Sequence, residues 1–368
     1  MRRANGHLPA PAAARGTSPI LITGGSGFIG SNLAARFLAD GEEVIVLDNL
    51  SRAGVAQNLA WLRENHGDRV HLLQADIRDA EAIRPAFTDA RAVFHFAAQT
   101  AVTTSLAEPI EDFEVNGRGT LNVLEAARRS GRRMPVIFAS TNKVYGNLDD
   151  LSMVEAGDRY VPADEALRRY GIGETRKLDF CSPYGCSKGV ADQYVLDYAK
   201  SYRLPTAVLR MSCIYGPRQF GTEDQGWVAH FLIRALRHQA ISIFGDGKQV
   251  RDILHVDDAV AAYRVVLREI DRVQGRAFNL GGGASNAVSL RGLLREIARI
   301  TGKDVPISYG EWRRGDQLYF VADTRKLQST LEWRPMIGWR EGLRDLALWL
   351  AEYRSSEQAE IPERRITA

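Results

Sequence analysis

The run Thr23-Gly24-Gly25-Ser26-Gly27-Phe28-Ile29-Gly30 stands between an apolar segment, Ile20-Leu21-Ile22, and a helical stretch reaching Ala39. Glycine at 24 permits a tight turn, glycine at 27 leaves the backbone open to a pyrophosphate, and glycine at 30 lets helix and strand pack closely. The first N–H groups of that helix, at Phe28, Ile29 and Gly30, sit at its positive dipole end and suit phosphate. Asp48 comes 18 residues after Gly30, at the end of the next apolar run, where a carboxylate meets ribose hydroxyls. Together these features read as a dinucleotide site. Asp48 at the strand tip disfavours a 2'-phosphate, whereas Arg52 on the following loop attracts one; the strand-tip acid decides for NAD.

Outward from this turn, short apolar runs alternate with helical stretches. Strands are expected at 43–48, 70–74, 93–96, 136–139 and 207–210, with helices at 110–129 and 184–202 among them. That alternation requires right-handed crossovers and a parallel sheet buried on both faces, so the fold class is α/β, a Rossmann-type doubly wound sheet. Beyond Arg210 the alternation weakens into a smaller interleaved α+β lobe. The expected division is a disordered tail over 1–18, a dinucleotide domain over 19–210 rejoined by about 250–282, a second lobe of 211–249 and 283–354, and a frayed end over 355–368.

The chain has 368 residues, enough for a sizeable core without disulfides. A net charge of +3, with 48 basic and 45 acidic residues interspersed, excludes a polyanion-binding protein as the first reading, so no nucleic acid partner is expected. Cys181, Cys186 and Cys213 form neither a paired framework nor a metal-ligand spacing, which points to reduced thiols, no metal and a cytoplasmic protein. No apolar run reaches the roughly 20 residues of a membrane span, and the Ala-, Pro- and Arg-rich start lacks the apolar stretch of a signal peptide.

Tyr184-Gly185-Cys186-Ser187-Lys188 puts a phenol and an ammonium four residues apart on one face of a helix. A phenol is a weak base near neutrality, and a nearby cation favours its phenolate. Ser140-Thr141 end the fifth strand, at the sheet edge where ligands of such folds bind. Asp76-Ile77 after the third strand are placed near an adenine, and Ala97-Ala98 after the fourth line the cofactor with small side chains. His95, inside an apolar strand, reads as a core histidine.

From Ile20 to about Tyr353 the chain resembles the extended short-chain dehydrogenase/reductase family, the NAD-dependent nucleotide-sugar epimerases and dehydratases. The residues that carry the resemblance are Thr23 to Gly30, Thr141, Tyr184 with Lys188, and Arg251-Asp252-Ile253-Leu254-His255-Val256-Asp257-Asp258. It implies that Thr141 hydrogen-bonds the reacting sugar hydroxyl, that Tyr184 takes its proton, and that Lys188 holds the nicotinamide ribose while lowering the phenol's pKa. Arg251 and Arg313 match the arginines that clamp a nucleotide diphosphate, a role suited to a guanidinium fork.

After Thr141 the 4,6-dehydratases of the family carry Asp and Glu, a proton donor and a base for removing water. This chain carries Asn142 and Lys143, so dehydration is not expected. The runs Asp48-Asn49-Leu50-Ser51-Arg52, Ser140 to Gly146, Ser182 to Gly189, Asp224-Gln225-Gly226-Trp227 and Gly245 to Asp252 are similar to the family's CDP-paratose 2-epimerase branch, as is the long segment over 147–183. Met211 departs from that branch, which has histidine there, and Gly221 replaces an alanine. The resemblance implies epimerisation at carbon 2 of a CDP-sugar through a transient keto-sugar. Asn49, Ser51 and Met211 then lie near the cofactor, and Asn142, Gln225 and Trp227 near sugar or base. A UDP-sugar 4-epimerase and a non-catalytic dinucleotide sensor are the competing readings. Helices 110–129 and 184–202 match those that pair in family dimers, implying a homodimer or homotetramer.

Overall fold

The computed structural model describes residues 18–313 and 315–359. Seven parallel strands lie in the order Arg276–Leu280, Thr206–Met211, Val136–Thr141, Ala92–His95, Ile20–Thr23, Val44–Asp48, Val70–Gln74. Successive side chains of each strand point to opposite faces, and both faces are apolar. Ile20, Ile22, Val44 and Val46 pack with Phe37, Tyr263 and Val266 on one side, while Leu21, Leu47 and Val93 pack with Val123, Leu124 and Val195 on the other. The strand order reverses between Ile20–Thr23 and Ala92–His95, which opens a crevice above their carboxyl ends.

A second lobe forms around a sheet of Ala287–Ser289, Val250–His255 and Tyr319–Phe320, with Cys213–Tyr215 alongside. Helices Trp227–Leu236, Leu290–Thr301 and Trp339–Ala359 cover it. No helix among the described residues is long and apolar enough to cross a membrane.

Several details differ from the sequence reading. Val250–His255 joins the second lobe's sheet; only Val256–Arg268 and Arg276–Leu280 return to the first. The helix expected over 110–129 is broken: Pro109–Phe113 gives way to a wide π turn, Glu114–Arg118, before Gly119–Arg129. At Gly119 a Cβ would lie 2.6 Å from the Ile77 side chain, which would have to shift to admit a larger residue. The segment 147–183 folds as a hairpin, Met153–Ala156 with Arg159–Pro162, followed by helix Glu165–Tyr170. The hairpin docks on the second lobe through Tyr160 to Asp246 (2.6 Å), Lys248 to Glu155, and Arg295 to Asp158. Of the tail expected over 1–18, residues 1–17 lie outside the described residues, as do 360–368 of the expected frayed end. The last helix runs to Ala359, past the boundary at 354.

Beneath the crevice, Arg210 and Asp192 form a buried two-bond ion pair, both contacts 2.9 Å. Asp192 also accepts from Ser140 at 2.7 Å, and Arg210 donates to the Tyr145 hydroxyl at 3.2 Å. Removing one partner leaves an uncompensated buried charge. Asp192→Asn is therefore expected to cost about 3–5 kcal/mol, read as a lower midpoint in urea denaturation; an unchanged midpoint contradicts this account of the pair.

Candidate active site

The turn after the first strand is built by close backbone approach. Gly24 has φ +66°, and a Cβ there would lie 2.7 Å from the Ala97 nitrogen; at Gly30 it would lie 2.2 Å from the Gly24 carbonyl oxygen. Helix Phe28–Ala39 starts at Gly27 with no side-chain cap and no acid in its first turn. Its leading N–H groups are thus open to an anion. Asp48 clasps the turn by accepting from Ser26 N (3.0 Å) and Leu50 N (2.9 Å). Two bonds leave lone-pair directions of the carboxylate for ribose hydroxyls. Burial raises its pKa against those two backbone bonds. These features fit a dinucleotide.

A cleft of about 550 Å³ runs from this turn to the second lobe. It brings together Gly24, Gly27, Phe28, Ile29, Gly30, Arg52, Ala98, Thr141, Asn142, Tyr184, Lys188, Met211, Gln225, Trp227, Arg251 and Arg313, every one a residue singled out from sequence. Six cofactor candidates and the core histidine stand off its wall. Asn49 donates to Asp76 (2.9 Å) and accepts from Ser51, forming a network beside the Asp48 strand. Asp76, bonded also to Arg78, is held down at about 2. Asp48 clasps the turn from behind, Ala97 backs Gly24, and the Ile77 side chain is buried in the core. His95 lies between the Thr23 and Thr120 hydroxyls (2.6 and 3.0 Å), and burial pushes it down to about 3.

Thr141 ends its strand in register with Met211, at the sheet's carboxyl edge. Its hydroxyl oxygen accepts from Lys143 N at 3.2 Å and its proton reaches Asn142 Oδ1 at 3.3 Å. Tyr184 and Lys188 come from the first turns of Ser182–Tyr202, which has Pro183 near its start. Burial pushes the Tyr184 phenol up to about 12, against the downward pull of a hydrogen bond with Thr141 and the Arg52 guanidinium. Burial brings Lys188 down to about 7, with Asp192 and Asp112 pulling the other way. The Lys188 ammonium donates to the Ala139 carbonyl at 2.7 Å and lies 4.2 Å from the centre of the Phe138 ring. Helical spacing alone placed Tyr184 and Lys188 on one face; the sheet edge turns the amine to a backbone acceptor, while the Asp112 charge pushes the phenol up and the Arg52 charge draws it down. Arg52 reaches over the cleft to Thr100 (3.1 Å) and feels both Asp48 and Tyr184.

The far wall carries Arg251, bonded to Asp316 (2.6 Å), and Arg313, bonded to Glu223 (3.0 Å) and 3.9 Å from the Phe244 ring centre. Trp227 donates its ring N–H to Cys213 Sγ at 3.3 Å and packs edge-on against Phe231. Lys143, Glu223, Phe244 and Asp316 also line the cleft and were not selected from sequence. The signal for Asp316 and Glu223 was adjacency to Arg313 and Asp224; for Lys143 it was its place two residues after Thr141.

Residues 20–281 match the model of the NAD dependent epimerase/dehydratase family. The chain is 42% identical over 338 residues to the CDP-paratose 2-epimerase of Salmonella typhi, covering 90% of this chain and 98% of that protein. Among solved structures it is similar to the UDP-glucose 4-epimerase of Thermus thermophilus in complex with NAD (TM-score 0.76, 33% identity, 90% and 99% of the two chains). It is also similar to the dTDP-glucose 4,6-dehydratase DesIV of Streptomyces venezuelae with NAD bound (TM-score 0.79, 29% identity, 92% and 98%).

Gly30→Ala drives a methyl into the Gly24 carbonyl. The expected outcome is a loss of about 1–3 kcal/mol of stability, a lowered thermal midpoint, and protein that no longer retains NAD when released coenzyme is measured by absorbance. A variant that keeps both properties contradicts the close-packing account of the turn.

Proposed function

Since the chain belongs to the NAD dependent epimerase/dehydratase family, we propose that it is a nucleotide-sugar epimerase acting at carbon 2 of a CDP-sugar through a transient keto-sugar. NAD is the cofactor, and Gly24, Gly27, Phe28, Ile29, Gly30 and Asp48 are the residues that would hold it, with Lys188 at the nicotinamide ribose. The observation that carries the reading is the site's asymmetry. One wall pairs Thr141 with Tyr184, the other carries Arg251 and Arg313, and an amide and an ammonium, Asn142 and Lys143, stand where a dehydratase needs two carboxyl groups. The similarity to a CDP-paratose 2-epimerase supports carbon 2 and the CDP group.

Bound NAD supplies the reversible oxidation of a sugar carbinol carbon. Tyr184 takes the proton of the reacting hydroxyl and later returns it, and Thr141 holds that hydroxyl against the phenol. The phenol has to part with its own proton first, and Thr141 and Arg52 already pull in that direction. Inversion requires the keto-sugar to offer its second face, so the sugar has to turn while its diphosphate stays gripped by Arg251 and Arg313. Gln225 and Trp227 border the space in which it turns. A UDP-sugar 4-epimerase, supported by the solved 4-epimerase structure, uses the same groups on another carbon.

Incubation with a panel of CDP- and UDP-linked sugars, with NMR of the products, is expected to show inversion at carbon 2 of a CDP-sugar. Inversion at carbon 4 alone sinks that assignment. Tyr184→Phe is expected to lower kcat by about 10²- to 10⁴-fold while the protein still retains NAD, and unchanged turnover points to the non-catalytic sensor.

A homodimer is proposed through the face on which Leu106, Ile110, Phe113 and Tyr194 are exposed; Ile110 is 78% exposed and Phe113 48%. Apolar side chains grouped in this way mark a contact surface. Light scattering at micromolar concentration is expected to give twice the chain mass or a higher multiple; a monomer mass refutes the pairing.

A further inference from the structure

The turn after Thr141 carries a cation that the mechanism above leaves unused. Lys143 lies in the cleft wall, and its ammonium donates to the Gly315 carbonyl oxygen at 3.1 Å. Beside it stand Arg251 and Asp316, and Asp316 already accepts from Arg251 at 2.6 Å. Asp316 thus bonds Arg251 directly and acts on Lys143 through its charge alone. Burial, then the charge of Arg251, hold Lys143 below the ordinary lysine range, with Asp316 only partly offsetting them. Farther along the same wall Arg313 faces both Glu223 (3.0 Å) and Asp224 (3.5 Å). Among the described residues, Lys143 and Arg251 thus meet a single carboxylate where Arg313 meets two.

A charge withdrawn from water is stable when it is paired, and an ammonium offers three donors of which Gly315 takes one. We propose that Lys143 is a substrate-binding residue whose ammonium, together with Arg251, holds the diphosphate of the nucleotide sugar. The assignment rests on the nucleotide-sugar reading of the cleft. The two cations are complementary on an anion of this shape, the guanidinium as a planar fork and the ammonium as a mobile point charge. The same turn is sewn to the far wall by Asn142 Nδ2 to Gln317 Oε1 (3.3 Å) and Gln317 Nε2 to the Gly146 carbonyl (2.5 Å). A phosphate contact from Lys143 therefore fixes the distance between the anchored diphosphate and Thr141, two residues away, leaving the sugar between them as the part that moves.

Calorimetric titration of the NAD-loaded full chain tests this, using CDP and UDP against the phosphate-free nucleosides cytidine and uridine. Lys143→Met is expected to weaken the diphosphate about tenfold or more while nucleoside affinity stays as in the parent, and Lys143→Arg is expected to keep most of the diphosphate affinity. Undiminished CDP and UDP binding in Lys143→Met overturns the assignment. So does an equal loss for nucleoside and diphosphate, which marks a disturbed seam rather than a missing phosphate contact. If Lys143→Met does not fold, Lys143→Gln in the same titration gives the same decision. A parent protein that binds neither CDP nor UDP overturns the nucleotide-sugar reading itself, an outcome separate from failure of the lysine assignment.

Discussion

Everything in the cleft depends on how closely the backbone packs at the carboxyl edge of the sheet. Gly24 touches the start of the loop after Ala92–His95, and Gly30 touches Gly24; neither approach leaves space for a methyl group. That proximity brings the start of helix Phe28–Ala39 to the crevice with uncapped N–H groups, and the Asp48 carboxylate locks it by accepting from Ser26 N. The register of the neighbouring strands then sets Thr141 level with Met211. A dinucleotide end and the proposed reacting end thereby share one sheet edge, and positioned groups are what such chemistry requires.

Burial is the second constraint, and it acts against the chemistry before it acts for it. It raises the Tyr184 phenol and lowers the Lys188 ammonium, so each is biased to its neutral form. The same low-dielectric surroundings make every remaining charge more effective. Arg52, reaching across from the loop after Asp48, is felt by the phenol and by Asp48 at once. Behind the helix, the Asp112 carboxylate accepts from the Ser187 hydroxyl (2.5 Å) and from Gln99 (2.8 Å), and Asn116 from the wide turn also reaches Ser187 (3.1 Å). The break in the helix thus serves the site: it turns Asn116 toward the element that carries Tyr184 and Lys188.

What was legible in the sequence follows from the range of the interactions that decide it. The glycine turn, Asp48 and the alternation of apolar runs are local patterns, and they located the central strands to within a residue or two. Tyr184 and Lys188 were placed on one face by helical spacing, a local rule as well. The direction of the lysine was not legible, because Ala139, whose carbonyl it finds, is 49 residues away in the chain. Nor was the break at 114–118, next to which Gly119 packs on Ile77 from a distant part of the chain. The same holds for Val250–His255, whose place in the second lobe is set by pairing with the distant Cys213–Tyr215 and Ala287–Ser289. The segment 147–183 carries no strong periodicity, and its hairpin is held by distant partners on the second lobe, through Met153 packing, the Tyr160 hydrogen bonds and ion pairs of Glu155 and Asp158.

The pairing of the two far-wall arginines constrains how a substrate enters. Arg251 and Arg313 are not free forks: Asp316 holds one, and Glu223 with Asp224 holds the other. A phosphate that takes them must displace or share these carboxylates, and breaking those ion pairs offsets part of its attraction. The acids also keep the open cleft from concentrating positive charge, and they hold the guanidinium groups in place before any anion arrives. The grip is therefore preorganised and moderated together. That combination suits the proposed reaction, whose intermediate has to turn without leaving: oriented guanidinium groups stand at one end of the cleft, while Thr141, Tyr184, Gln225 and Met211 line the space toward the other.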